Sequence, residues 1–223
     1  AIIRSSVFPG TFPFTNIVEV RGSGDVEAEE LTAYELGFRA QPTESLSFDI
    51  STFVNDYDNL TTMELGAPEI DPINFVVVLP ATFDNERSGQ TYGVELAADW
   101  RVREDWRLRA AYSLVKIDVD LDAGSADLNQ QGLDVEGESP DHQFSVRSYY
   151  DIAPDVELDV GVAYVDDIEV FGIDGYWRTD VRLGWRPRPS LEFVVGVQNA
   201  FDSHHAEYGS DFVGRRAWIR RRR

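Results

Sequence analysis

Hydrophobic and polar side chains alternate through most of this chain, most regularly over residues 105–115. Trp106, Leu108, Ala110, Tyr112 and Leu114 fall on even positions; Arg107, Arg109, Ala111 and Ser113 fall on odd ones. A strand sends successive side chains to opposite faces, so this stretch has one apolar face and one charged, small-residue face. Upstream, Tyr92, Val94, Leu96, Ala98 and Trp100 alternate in the same way with Gly93, Glu95, Ala97 and Asp99. The short link 101–104 makes the two an antiparallel hairpin. The same rhythm predicts strands over about 29–41, 45–60, 75–102, 105–121, 141–153, 156–164, 177–185 and 190–201, then a last one to the terminus. A bulge is expected near Phe53, where the apolar register slips.

The links have a rhythm of their own. Those at 41–44, 101–104, 153–155 and 186–189 are tight; those at 61–74, 122–139, 166–174 and 202–210 are long. The fold this predicts is all-β, an antiparallel up-and-down meander of about nine or ten strands. One rim carries short turns and the other long loops, the pattern of a transmembrane β-barrel with periplasmic turns and extracellular loops. Residues 1–28 show no clear period and are read as a partial strand and extracellular loop, leaving 29–223 as the barrel portion. Trp100, Trp106, Trp185 and Trp218 all fall towards the short-turn rim, as a membrane aromatic girdle would, whereas Trp177 falls at the other end.

Composition narrows the function. Twenty basic against 40 acidic residues give a net charge of −20, which argues against a nucleic-acid partner. Lys116 is the only lysine, and the absence of cysteine excludes disulfides and thiolate metal sites. No run approaches the ~18 apolar residues of a membrane helix. The mean hydropathy of −0.30 does not exclude a membrane barrel, whose lumen-facing positions dilute the apolar signal.

Three segments carry a family resemblance: 31–40 (Leu-Thr-Ala-Tyr-Glu-Leu-Gly-Phe-Arg-Ala), 91–100 (Thr-Tyr-Gly-Val-Glu-Leu-Ala-Ala-Asp-Trp) and 197–202 (Val-Gln-Asn-Ala-Phe-Asp). In this order they resemble the C-terminal barrel of TonB-dependent outer-membrane receptors, over roughly residues 29–223. The resemblance implies part of a 22-stranded barrel in the bacterial outer membrane, filled by a plug domain and energised through the TonB complex. It implies active uptake of a scarce nutrient, a ferric siderophore or a similar large ligand. The chain begins at Ala1 with no leader visible and ends in Arg220–Arg223, where such barrels usually finish in an aromatic residue, so it reads as a fragment lacking the plug and the TonB box. Implied partners are outer-membrane lipid, the plug domain and TonB complex, and a small or medium-sized ligand. Glu35, Arg39, Glu95, Asp99, Arg107, Arg109, Arg147, Asp159, Arg178, Asp180 and Arg182 would face the lumen and plug. Tyr57, Phe171, Tyr176, His204, His205 and Tyr208, at the loop edge, are the candidate ligand-binding residues. Two other readings are a passive porin-like barrel and a soluble acidic β-sandwich that binds carbohydrate.

Candidate chemistry is sparse. Residues 118–124 resemble the start of a calcium loop, but Gly124 comes one place late and Asn129 stands at the twelfth position; a solvated acidic loop accounts for them. His204, His205 and Glu207 could ligate a metal, although a surface histidine pair is ordinary. Glu95 and Asp99 share a strand face that could suit glycoside chemistry, or simply line a lumen. Asn59-Leu-Thr61 matches a glycosylation sequon. With no phosphate loop, nucleophile elbow or zinc-protease motif, no enzyme activity, no cofactor and no metal are expected.

Overall fold

The computed structural model describes the backbone of residues 2–8, 15–127, 136–208, 211–214 and 216–222, and the side chains of 16–127 and 136–207. Fourteen strands are described: β1 (Ile2–Phe8), β2 (Thr15–Arg21), β3 (Glu30–Thr43), β4 (Leu46–Leu65), β5 (Glu69–Asp71), β6 (Val76–Arg103), β7 (Trp106–Leu121), β8 (His142–Ala153), β9 (Val156–Val165), β10 (Tyr176–Arg188), β11 (Leu191–Gln198), β12 (His204–Tyr208), β13 (Asp211–Gly214) and β14 (Arg216–Arg222). Helical structure among the described residues is limited to 3-10 turns, Glu169–Phe171 and a stretch at 136–137. The meander is antiparallel: β3 pairs β4, β4 pairs β6, and pairing continues through β7, β8, β9, β10 and β11 to β14.

Backbone contacts divide the chain into two compact units. The first comprises residues 1–33, 55–91 and 117–136, the second 34–54, 92–116 and 137–223. In the first, β1 lies antiparallel to β2, while β2 runs parallel to the start of β6 from Thr15↔Val76 to Arg21↔Thr82. Strand β5 pairs with that same part of β6, antiparallel. Asn59, inside β4, takes a left-handed φ of 57°, a conformation asparagine tolerates better than most residues. Its carbonyl accepts from the Asn85 amide, which also bonds the Glu27 backbone. The link expected over 61–74 is therefore shorter than its polarity suggests. Thr61, Thr62 and Glu64 continue β4, and Glu69–Asp71 form β5, because strand pairing needs backbone donors and acceptors rather than apolar side chains.

The second unit holds the regular meander. The four tight turns are two residues each, at 44–45, 104–105, 154–155 and 189–190. None of the eight turn residues has positive φ, so the primed turns usual for such loops do not occur. Pro154 and Pro189 instead preset φ near −65° for the first central residue of an unprimed turn. Beside each lies a register shift, between Asp151 and Ala153 and between Trp185 and Arg188, which takes up the twist. Three turns are also tied to the next hairpin: Arg101 N donates to Ser45 O at 2.7 Å, Asp151 N to Asp105 O at 2.8 Å, and Arg186 N to Asp155 O at 2.7 Å.

Register sorts the side chains into two faces. Trp106, Leu108, Ala110 and Tyr112 lie opposite Tyr150, Ser148, Val146 and Phe144. That row continues through Tyr164, Val162, Val160 and Leu158 on β9 to Trp177, Thr179, Val181 and Leu183 on β10. Many of its large members are exposed, including Leu36, Phe38, Trp100, Phe144, Trp177 and Trp185, while Trp106, Tyr112, Tyr150 and Tyr164 are half-buried. Aromatics gather at both ends of the row. Trp185 stacks on Phe193 at 5.7 Å and Trp106 meets Tyr150 at 6.3 Å near the tight turns; Tyr164 meets Trp177 at 4.9 Å near the long links. Such pairs contribute about 0.5–1.5 kcal/mol each beyond their buried area. The Trp106 indole donates to Ser148 and the Trp185 indole to Asp155. Backbone register pairs Trp218 with Gly196; its side chain lies outside the described residues.

Candidate functional site

The other face of the second unit is polar, and ion pairs run across it. Arg39 on β3 reaches Asp49 on β4 at 2.5 Å. Asp99 on β6 accepts Nε of Arg107 at 2.7 Å and Nε of Arg109 at 2.9 Å, and Arg107 closes a second bond to it through Nη2. Two guanidiniums thus share one carboxylate from the next strand, because Arg107 and Arg109 sit two residues apart on one face of β7. Register sets Arg109 directly opposite Arg147, and Arg107 opposite Tyr149. Arg109 is held off Arg147 by Asp99 and by the Tyr149 ring, 5.8 Å from its guanidinium carbon. The Arg147 guanidinium lies over Gly161, where an added Cβ would stand 3.2 Å from Nε. On β10, Arg178 pairs with Asp180 at 3.0 Å; Arg182 takes Asp159 at 2.9 Å, Glu157 at 3.1 Å and Glu192 at 3.4 Å.

These side chains border a concave hollow of about 700 Å³. Arg39, Asp99, Arg109, Arg147, Arg178 and Asp180, six of the eleven expected lumen residues, line it, together with Asp49 and Tyr149. Glu95 lines an adjoining hollow of about 470 Å³ and accepts from Ser51 at 3.3 Å. Arg107, Asp159 and Arg182 join through the ion pairs above, whereas Glu35 lies on β3 outside both hollows. The partners missing from the sequence reading were Asp49, Glu157 and Glu192. Each alternates with apolar neighbours on its own strand, so the signal for Asp49 and Glu157 was present; which arginine each would meet depends on cross-strand register.

Four of the six expected loop-edge residues converge. Phe171, Tyr176, His204 and His205 line one cleft of about 770 Å³ with Asp174, Trp177, Thr179, Phe201 and Asp202. His205 stacks on Tyr176 with ring centroids 4.0 Å apart and 15° between planes. One ring nitrogen of His205 meets Asp202 at 2.7 Å and the other meets Glu207 at 3.1 Å. The bond from His205 holds the Asp202 carboxyl below the usual carboxylate range, helped by the backbone amide of His204. Asn199, almost fully buried with φ 52°, starts this link, and its amide N–H donates to Asp180 at 3.1 Å. Tyr57 lies instead on β4 in the first unit, half-buried, and the side chain of Tyr208 is outside the described residues.

Strand β7 runs to Leu121, so Asp118 and Asp120 sit on extended backbone rather than in a loop, and Asn129 lies outside the described residues. Among the described residues no group of three or more His, Asp or Glu side chains is arranged to hold a metal ion. Glu95 and Asp99 are four residues apart on one strand, about 13 Å at 3.3 Å per residue, beyond the ~5–9.5 Å of a glycosidase pair.

Comparison with known proteins agrees with this architecture. The catecholate siderophore receptor Fiu of Escherichia coli (strain K12) is 23% identical over 133 residues, 56% of this chain and 17% of the receptor. The FrpB iron transporter of Neisseria meningitidis superposes with a TM-score of 0.66 at 17% identity, over 90% of this chain and 32% of its own. A mutant of the ferric enterobactin receptor of Pseudomonas aeruginosa gives 0.67 at 15% identity, over 91% and 32%. This chain therefore spans less than a third of each of these proteins. Neither a porin-like barrel nor a soluble sandwich is favoured by these likenesses. The profile described as TonB dependent receptor-like, beta-barrel matches residues 4–200, and the chain belongs to that family.

Proposed function

We propose that this chain is part of the wall of a bacterial outer-membrane receptor that actively takes up ferric siderophores, catecholates first among them. Segregation of charge supports the reading best. The chain carries −20 overall, yet the lining of the main hollow has four arginines (39, 109, 147, 178) against three aspartates (49, 99, 180), a local balance of +1. A ferric catecholate is an anion; the acidic long links repel it and the arginines of the concave face attract it. The polar row faces a plug domain and ligand, and the apolar row faces lipid. Trp177 to Trp185 spans eight residues, about 26 Å along the strand. At a tilt of ~40° that is roughly 20 Å across the bilayer, close to the ~25 Å apolar band of such barrels.

The test is uptake of a radioiron-loaded catecholate siderophore by cells carrying the whole receptor that contains this segment. Energy-dependent uptake is expected, with KM raised about tenfold in a paired Arg109→Ala, Arg147→Ala variant that still reaches the membrane. No uptake by the unsubstituted receptor refutes the reading.

A further inference from the structure

His205 links the loop-edge cleft to the charged hollow. Its ring lies on Tyr176, the first residue of β10, and alternation along that strand puts Tyr176 on the same face as Arg178 and Asp180, which border the hollow. The His205 side chain is only 7% exposed, yet both of its ring nitrogens meet carboxylates. Nδ1 lies 2.7 Å from Asp202, and Nε2 lies 3.1 Å from Oε1 of Glu207. A neutral imidazole has one N–H and one bare nitrogen, so it can donate to only one of these carboxylates; an imidazolium donates to both. The geometry is that of the protonated ring.

Glu207 is shared. The same Oε1 lies 3.7 Å from Nη1 of Arg178. Arg178 donates Nε and Nη2 to the two oxygens of Asp180 at 3.1 and 3.0 Å, so Nη1 has Glu207 as its remaining partner, beyond hydrogen-bond range. Asp180 is fixed in turn by the Asn199 amide N–H. When His205 loses a proton, the shorter bond keeps the remaining hydrogen on Nδ1, because Asp202 is anchored by the His204 amide at 3.3 Å. Asn199 favours the same tautomer. Its side-chain amide stands 3.4 Å from Nδ1 with Oδ1 buried and without a partner among the described residues; turned end for end, it would accept from Nδ1–H as well. Bare Nε2 then faces Oε1 of Glu207, lone pair against lone pair. A guanidinium waits 0.8 Å beyond the ~2.9 Å of a charge-assisted bond, that is 3.7 less 2.9.

We propose that His205 and Glu207 are positioning residues that set, according to pH, how much charge Arg178 offers to an anionic ligand. This rests on the reading of the hollow given under Proposed function. With His205 protonated, Glu207 is held off and Nη1 of Arg178 is left for the anion. With His205 neutral, Glu207 closes on Arg178, and the four arginines of the hollow face Glu207 as well as three aspartates, so the local balance falls from +1 to 0. Histidine ordinarily changes charge between about pH 5 and 8, so the anion binds more tightly at the acid end of that range and more weakly at the other. Among the described residues, the other titratable groups beside His205 are Tyr176, whose phenol stays neutral over that range, and His204; Asp174 lines the same cleft, and Val213 of β13 pairs with His205 in backbone register.

The experiment measures equilibrium binding of a ferric catecholate siderophore to the whole receptor in micelles, at about pH 5.5 and about pH 8. Kd is expected to rise about fivefold at the higher pH. In Glu207→Gln, at a position about one-third exposed, Kd should stay near the acid value at both, because Arg178 is left free while His205 still titrates. In His205→Gln the pH dependence should vanish. Titration of the siderophore itself is common to all three proteins and cancels in the comparison. A pH dependence in Glu207→Gln equal to that of the unsubstituted receptor overturns the proposal, and one that persists in His205→Gln assigns the titration to another group. Absence of ferric catecholate binding at both pH values refutes the uptake reading instead. Structures of the receptor at the two pH values test the switch without any ligand: Glu207 closing on Nη1 of Arg178 at the higher pH supports it, and an unchanged separation overturns it.

Discussion

Gly93, in the Tyr-Gly-Val-Glu segment, gives the sharpest test of how closely the strands of the second unit approach. A Cβ added there would stand 2.4 Å from the Leu114 carbonyl oxygen on β7 and 2.8 Å from two ring atoms of Phe53. The ring can turn aside, but the carbonyl is backbone. Relieving the contact to 3.0 Å requires β6 and β7 to part locally by 0.6 Å, that is 3.0 less 2.4. A ladder bond of about 2.9 Å stretched by that amount reaches ~3.5 Å and is effectively lost. One or two such bonds at ~1 kcal/mol each, plus ~1–2 kcal/mol for moving Phe53 off its packing, bring the cost of Gly93→Ala to about 2–4 kcal/mol. Gly37 is the control, because an added Cβ there finds nothing nearer than the Ile50 carbonyl at 4.0 Å. Gly37→Ala should be neutral or stabilising by up to about 1 kcal/mol, since glycine weakens a strand interior. Urea unfolding of both variants of the whole receptor in micelles, followed by tryptophan fluorescence and β-sheet circular dichroism, separates the two. Equal midpoints would show that the close approach at Gly93 is not a constraint.

Three further outcomes follow from geometry already described. Trp100, Trp177 and Trp185, all on the outward row and about half exposed, should be strongly quenched by lipid with brominated acyl chains; a cooperative, unquenched fold in plain buffer would contradict the assignment of that row to lipid. Arg182→Met removes the cation shared by Glu157, Asp159 and Glu192, leaving the longer contacts of Arg186 to Glu157 and Glu192, and should cost about 1–2 kcal/mol after allowance for their partial exposure, less in high salt; an unchanged unfolding midpoint would show that Arg182 contributes nothing. The Asp71 carboxyl, in the turn before β6, is held below its ordinary value chiefly by the Asn74 side-chain amide and then by the Asn74 backbone. A depressed carboxylate stabilises above its unfolded pKa and loses that effect as pH falls through the folded value. The turn should therefore persist at pH 5 and loosen only below about 3.9, and an NMR titration of Asp71 with a midpoint above that would show the bonds to be absent.

Much of this fold is legible in residue order because a half-apolar strand repeats with period two. The hairpin around 105 was placed to within about a residue, with β6 ending at Arg103 and β7 starting at Trp106. Legibility fails where backbone pairing outruns side-chain pattern. Thr61 to Leu65 are too polar to read as strand yet complete β4. The parallel pairing of β2 with β6 joins residues some 60 positions apart, and no local signal encodes it. The link expected over 202–210 likewise contains β12, which pairs with β13 just beyond it. For the sites, alternation showed which face Arg107, Arg109 and Asp99 occupy. It could not show that Asp99 would bind both arginines, nor that Phe171 and Phe201, 30 residues apart, would line one cleft.

The ties between tight turns and following hairpins bear on the order of assembly. Ser45 to Arg101 closes a segment of 56 residues, Asp105 to Asp151 one of 46, and Asp155 to Arg186 one of 31. Loop-closure entropy grows as (3/2)RT ln n, so the last tie costs about 0.5 kcal/mol less than the first before any contact is gained. Each finished hairpin then presents a turn carbonyl as the landing point for its neighbour. The β8–β11 region is thus the cheapest nucleus, and the sheet grows from it towards the N-terminus, so damage near Asp155 should slow folding more than equal damage near Ser45.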